Sequence, residues 1–346
     1  RTKGSLFVAV LFVSVIFGAA TGIVGASVTI LGIMSAKTMN RAGYDVQLAA
    51  GTITAGGTLG ILIPPSIMLV VMGPILNVPV TDLFAAAIMP GLMLAALYTG
   101  YTLIRCHLNP SLGPVVPEDL IPDSMREVWI EFFKGLVPPV LLVGSSLGSI
   151  LAGLATPTEG AAMGAVGAIF LTLAYRKLNF KVFQEALLKT LEITTLIMIL
   201  VCASNFFGSV FSRLGTPTMI TEALMLLDLP PTAILLIVMA FIFLLAWPLE
   251  WVPIVLIIIP IVLPLIEQLG FNLIWFGILV AVNLQTAWLS PPVALSAYFL
   301  KGVAPDWDLS DIYKGMMQFM AIQVVGLALI IIFPQIVLWL PEYLYG

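Results

Sequence analysis

Of the 346 residues, 60% are hydrophobic and only 9% charged, with a mean hydropathy of +1.13, against roughly 25% charged in an ordinary soluble domain. Such a chain is a polytopic membrane protein with room for roughly ten to twelve crossings of about 20 residues, and without alternating ten-residue runs it is an all-α bundle rather than an outer-membrane barrel. A net charge of −4 with dispersed Lys and Arg excludes a nucleic-acid partner; a single histidine, His107, and two distant cysteines, Cys106 and Cys202, exclude zinc motifs, Ser/His/Asp triads and a disulfide scaffold. Neither an enzyme, an organic cofactor nor a transition metal is expected.

The chain opens on Arg1-Thr2-Lys3-Gly4 without a cleavage-site pattern, which reads as no signal peptide. Apolar stretches at 6–20 and 23–36 are each short for a crossing and are separated only by Thr21-Gly22, so they predict a re-entrant hairpin. The following run, 46–72, is about 40 Å as one helix, more than the membrane core needs. Pro64-Pro65 should interrupt it within the segment from Gly56 to Ser66. Further spans are expected at 83–104, 136–154, 161–175 and 191–211. The proline-rich stretch from His107 to Lys134 reads as a cytoplasmic loop ending in an interfacial helix, and 179–189 as a second, amphipathic interfacial helix. A second pair of short segments, 234–247 and 252–266, surrounds Pro248-Leu249-Glu250-Trp251. It is followed by 273–300, broken near Pro291-Pro292 with Trp288 inside the break, and by a last span at 316–340.

Spacing repeats along with shape: Gly43-Tyr44-Asp45 and Gly270-Phe271-Asn272 stand at the same distance before their proline pairs, the mark of an internal repeat. With the first hairpin entering from the cytoplasm, thirteen of the fourteen Lys and Arg residues fall on one face, and Arg213 alone on the other. An odd number of crossings then separates the hairpins, so the repeats are inverted, an architecture that places a binding site near the midplane. The expected domains are a first repeat over 1–105, a cytoplasmic loop over 106–135, connecting helices over 136–229 and a second repeat over 230–346.

The motifs Ala20-Thr21-Gly22-Ile23-Val24-Gly25-Ala26, Gly57 to Ser66, Thr156-Pro157-Thr158-Glu159-Gly160-Ala161-Ala162 and Leu284-Gln285-Thr286 through Pro291-Pro292 occur in order. By them the whole chain resembles the large membrane (DctM-type) subunit of tripartite ATP-independent periplasmic transporters. Members usually carry further helices before the first hairpin, which implies a partial chain. The resemblance implies a sodium-coupled, elevator-type importer in the bacterial inner membrane, working with a small membrane (DctQ-type) subunit and a periplasmic binding protein that delivers an organic acid. It implies one Na⁺ at Thr21, Ile23, Gly60, Leu62 and Pro65, and a second at Glu250, Thr286, Trp288 and Ser290. Two departures are visible: Glu250 where relatives often have Asp, and Pro253 where a second acid is common.

On physical grounds, unwound helix in a membrane exposes carbonyls that a hard cation can satisfy; the competing reading of the small residues is close helix packing alone. Glu250, at a tip reaching toward the midplane, is either functional or a structural acid. Glu159 fits a helix N-terminus with Thr158 as cap. Because no Lys or Arg falls in the predicted cores, an organic anion would be held by hydroxyls such as Thr54, Ser66 and Ser290, by half-helix N-termini and by bound Na⁺. The alternative is a binding-protein-independent sodium/carboxylate carrier; an intramembrane enzyme lacks its residues, and a channel fits poorly with two hairpins entering from opposite faces.

Overall fold

A computed structural model describes residues 2–117, 124–291 and 293–346, apart from the side chains of Ala20 and Thr21. Part of the expected cytoplasmic loop, 118–123, and Pro292 of the second proline pair therefore lie outside the described residues.

Helices α1 (Ser5–Thr21) and α2 (Val24–Arg41) form the first hairpin, turning at Gly22 with φ 61°. Next, α3 (Val46–Thr58) starts where Asp45 accepts from the Leu48 N–H at 2.8 Å, and α4 (Ile67–Leu76) starts where Ser66 caps the Leu69 N–H. Between them lie a 3₁₀ turn, Leu59–Ile61, and a non-helical stretch through the two prolines. A long helix, α5 (Val80–Leu108), completes this unit.

The connecting part holds α6 (Met125–Leu151), α7 (Pro157–Ala174), α8 (Phe180–Arg213) and α9 (Thr216–Met225). α6 and α7 pack through Gly160, whose carbonyl accepts from the Ser146 hydroxyl at 2.6 Å. The cap of α7 is Thr156, not Thr158: it makes a reciprocal capping box with Glu159, because Pro157, which has no N–H, occupies the first helical position.

The second unit comprises α10 (Pro231–Ala246), α11 (Trp251–Pro253) running through a π-turn (Ile254–Ile258) into α12 (Ile259–Gln268), then α13 (Leu273–Leu289), α14 (Leu295–Val303), α15 (Leu309–Ile332) and α16 (Gln335–Tyr345). A single shift of 227 residues carries Val24 and Arg41 onto Trp251 and Gln268, and Val46 onto Leu273. The same shift carries the cap Asp45 onto Asn272, which accepts from the N–H groups of Ile274 and Trp275 at 2.9 and 3.1 Å. The repeat is thus written in element bounds and caps as well as in prolines.

Six helices among the described residues are long and apolar enough to cross a membrane: α5, α6, α7, α8, α11 continued through α12, and α15. The core lies where α3 and α13 cross between α5 and α15. α3 is buried from Leu48 through Thr58, and α13 from Trp275 through Thr286. Small residues permit this crowding. A Cβ on Gly315 of α15 would come within 2.0 Å of the Gln47 carbonyl, and one on Gly57 within 2.3 Å of Val28.

Besides the cap of α7, four expectations are corrected. The interfacial helix expected at the end of 107–134 and the span at 136–154 are one helix, α6. The interfacial helix at 179–189 and the span at 191–211 are one helix, α8: neither Gly nor Pro occurs between Phe180 and Gly208, and a Lys189–Glu192 pair at 2.8 Å bridges the intended gap. At 1.5 Å per residue α8 reaches about 51 Å, well beyond a roughly 30 Å core. The last stretch, 316–340, is divided at Pro334 into α15 and α16. Trp288 remains helical within α13, and the second break begins at Ser290.

Candidate functional site

Both breaks follow from one rule. In a continuous helix the N–H of residue i+4 serves the carbonyl of residue i, and proline has none to give. Pro64 and Pro65 therefore orphan the carbonyls of Gly60 and Ile61. The Ile61 carbonyl is recovered by the Ser66 hydroxyl at 2.5 Å. The same event recurs 227 residues on: the proline at 292 would orphan the Trp288 carbonyl, and the Ser296 hydroxyl donates to it. The Gly60 carbonyl thus has no i+4 N–H, its residue i+4 being Pro64.

The first hairpin is seated on that carbonyl's neighbourhood. A Cβ on Gly18 would stand 2.8 Å from the Gly60 Cα, and one on Gly60 would stand 3.1 Å from the Ser27 hydroxyl. At the tip itself, a Cβ on Gly22 would lie 3.3 Å from the Pro65 carbonyl oxygen. Ile23 is extended at φ −132°, ψ 121° and its side chain is partly exposed, whereas Leu62 is buried and Pro65 half-buried. Gly60 and Pro65 are thus brought against the first hairpin, at Gly18 and Gly22; the side chain of Thr21 lies outside the described residues. Around this contact the chain offers carbonyls, not a carboxylate cluster: among the described residues no group of three or more His, Cys, Asp and Glu assembles anywhere.

At the second break the named residues divide. Glu250 and Trp288 line one cleft between the tip of the second hairpin and the end of α13, together with Trp247, Ala287 and Val293. Thr286 and Ser290 are buried. Thr286 donates to the Asn283 carbonyl at 2.6 Å, and Ser290 bonds the Thr286 carbonyl at 2.6 Å and approaches the Met320 sulfur of α15 at 2.8 Å. The indole N–H of Trp247 is buried without a partner among the described residues, a donor left over in a cleft that already holds a carboxyl group. Of the hydroxyls expected to meet an anion, Thr54 donates to the Ala50 carbonyl at 2.7 Å and Ser66 to Ile61. All three, Ser290 included, have committed their protons to main-chain carbonyls.

The sequence motifs miss the polar link between the breaks. Gln285 of α13 donates to the Thr58 carbonyl at 3.1 Å and accepts from Gln323 of α15 at 2.7 Å, all three residues being fully buried. Thr58 and Gln285 are equivalent residues, separated by the repeat shift itself. The bond between them ties the end of α3 to the end of α13, just ahead of the two proline breaks. The repeat spacing is the available signal for this contact.

Comparison with known proteins matches residues 1–336 to the family described as tripartite ATP-independent periplasmic transporter, DctM component. Among curated relatives, the C4-dicarboxylate TRAP transporter large permease protein DctM of Pseudomonas aeruginosa is 30% identical over 99% of this chain and 78% of its own length. The sialic acid TRAP transporter large permease protein SiaM of Vibrio cholerae is 28% identical over 99% of this chain and 79% of its own. The sialic acid TRAP transporter permease protein SiaT of Haemophilus influenzae is 26% identical over 96% of this chain, which spans about half, 53%, of that longer protein. Paired hairpins, paired breaks and a match of this extent agree: the chain belongs to the DctM component family of tripartite ATP-independent periplasmic transporters.

Proposed function

We propose that this multi-pass inner-membrane permease imports an organic acid by Na⁺-coupled, elevator-type movement, in company with a small membrane subunit and a periplasmic binding protein. The observation that carries the reading is the seating of the first hairpin tip on a proline break whose Gly60 carbonyl has lost its helical donor. A hard cation supplies what such a carbonyl lacks. One Na⁺ is assigned to Thr21, Ile23, Gly60, Leu62 and Pro65, and a second to Glu250, Thr286, Trp288 and Ser290, the two hydroxyls of that set offering lone pairs rather than protons. The repeats are taken as inverted, with the outer face marked by Arg213. The organic-acid class is supported by relatives named for C4-dicarboxylate and for sialic acid. In the second cleft the free Trp247 N–H is a donor suited to a carboxylate oxygen; Thr54, Ser66 and Ser290 join it by exchanging a main-chain bond for the anion.

The test is uptake of labelled succinate and N-acetylneuraminate into proteoliposomes holding the complete transporter, with its binding protein outside. Uptake of one of them driven by an inward Na⁺ gradient and abolished without the binding protein is expected. Uptake indifferent to Na⁺ overturns the coupling, and full uptake without the binding protein supports the independent carrier instead.

A further inference from the structure

Away from both breaks, a cleft of about 660 Å³ opens between the end of α8, the start of α9 and the second arm of the second hairpin, within the roughly 300–1,000 Å³ of small-molecule sites. One wall is apolar: Leu256, Pro260, Ile261 and Pro264. The other is not. Over its last turns α8, otherwise an apolar membrane helix, presents Ser204, Asn205, Gly208, Ser209, Ser212 and Arg213 to the cleft, and polar side chains at this spacing form a single stripe. The wall continues through Pro217 and Thr218, in the first turn of α9, a ten-residue helix whose N-cap, Gly215, provides no side-chain cap. Its first N–H groups carry the positive end of the helix dipole. One turn along α9 from Pro217 and Thr218, the Thr221 hydroxyl is buried and has no partner among the described residues. Arg213 makes no ion pair with any carboxylate among the described residues, so its charge is uncommitted. It is also the cation that the charge asymmetry sets apart from the other thirteen.

We propose that this cleft is an anion vestibule that receives the carboxylate of the transported solute on the outer face, with Arg213 supplying charge and Asn205, Ser212 and Thr218 supplying hydrogen-bond donors. The proposal rests on the reading of the chain as an organic-acid importer and gives that reading an entry point for its substrate. A guanidinium, hydroxyls and a helix N-terminus all favour negative charge, and the second hairpin, which moves in an elevator cycle, forms the opposing wall, so the cleft changes shape as the cycle proceeds.

The test reads the local potential without needing transport. A reporter cysteine, S209C, is placed in the assembled transporter with Cys202→Ser, Cys202 being exposed and Cys106 buried. Whole cells are treated with the anionic sulfonatoethyl and the cationic trimethylammonioethyl methanethiosulfonates. Arg213 is one helical turn from position 209, roughly 6 Å. A unit charge at that distance alters each rate about threefold even at the dielectric of water. Arg213→Gln should therefore shift the anion-to-cation rate ratio about tenfold toward the cationic reagent, Arg213→Lys should hold it within about twofold, and millimolar succinate should slow labelling only while the cation is present. A ratio unmoved by Arg213→Gln, or a cysteine that neither reagent reaches, overturns the vestibule. If the ratio moves as stated while uptake proves independent of Na⁺, the coupling reading fails and the vestibule stands.

Discussion

The contact between Gly18 and Gly60 makes the proposed first ion site testable by one methyl group. In Gly18→Ala the added Cβ would stand 2.8 Å from the Gly60 Cα and 3.0 Å from its nitrogen, whereas carbon atoms rest at about 3.5–4.0 Å. Both obstacles are main chain, so no side chain can rotate away, and the hairpin must lift from the break by about 1 Å. Overpacking of this kind costs about 1–3 kcal/mol. If lifting the tip relieves the strain, that cost falls on the ion-bound arrangement. At 1.4 kcal/mol per tenfold, the half-saturating Na⁺ concentration rises about fivefold to a hundredfold. The assay is the Na⁺ dependence of solute uptake in proteoliposomes, with Gly100→Ala as control, since a Cβ there meets nothing within 4 Å. A variant that inserts normally and keeps the parental Na⁺ dependence refutes the argument that tip and break share an ion.

Replacing Pro64 and Pro65 together by Ala restores two N–H donors to the carbonyls of Gly60 and Ile61 and should reduce uptake at least about tenfold while membrane insertion persists; parental Na⁺-dependent uptake would count against the first site. Glu250→Gln removes a negative charge from the second cleft and should raise the half-saturating Na⁺ concentration severalfold, and an unchanged Na⁺ curve returns Glu250 to a structural role. Gln285→Leu leaves the Thr58 carbonyl without its side-chain donor and removes one of the two acceptors of the Gln323 amide, which keeps its bond to the Val282 carbonyl, at a cost of about 1–3 kcal/mol. This should appear as a lower melting temperature of the purified complex in detergent, and an unaltered melt would show that the link between the breaks carries no stability.

Much of this architecture is legible in the sequence because membrane helices obey few rules. Short apolar stretches flanking Thr21-Gly22 and Pro248 to Trp251 announce paired arms, and the proline pairs at 64–65 and 291–292 follow the ends of α3 and α13, whereas the pair Pro138-Pro139 sits inside the continuous helix α6 and does not break it. Punctuation is harder to read. Lys181, Glu185, Lys189 and Glu192 resemble the end of an interfacial helix, yet they pair along one face, and with neither Gly nor Pro nearby the helix simply continues. Thr156 and Thr158 compete as the cap of α7 because both are threonines close to Glu159, and only the position of Pro157 distinguishes them. Trp288 falls inside the break when the prolines alone are considered, because they act on the carbonyls four residues earlier, while the helical dihedrals persist to Leu289.

The proposed site can be read from the sequence as a pair of places and not as a set of atoms, and the reason is physical. Ion sites built from main-chain carbonyls carry no residue signature; they are defined by which N–H groups are missing. Counting donors locates them better than searching for acids. Two prolines remove the i+4 donors of Gly60 and Ile61, and one serine hydroxyl returns a donor to Ile61 in the first break. In the second break the Ser296 hydroxyl performs the same return to Trp288, the equivalent of Ile61. Applied to position 60, the repeat shift leads to Ala287, which lines the cleft beside Glu250. Its carbonyl accepts from the Ser290 N–H at 3.3 Å, a long bond at the edge of useful geometry. In the first break the Gly60 carbonyl has no i+4 donor and the hairpin tip above it carries no carboxylate, whereas in the second Ala287 keeps a long bond and Glu250 is added. Two places alike in backbone therefore differ in charge, and the second is where a change of one side chain should retune the response to Na⁺.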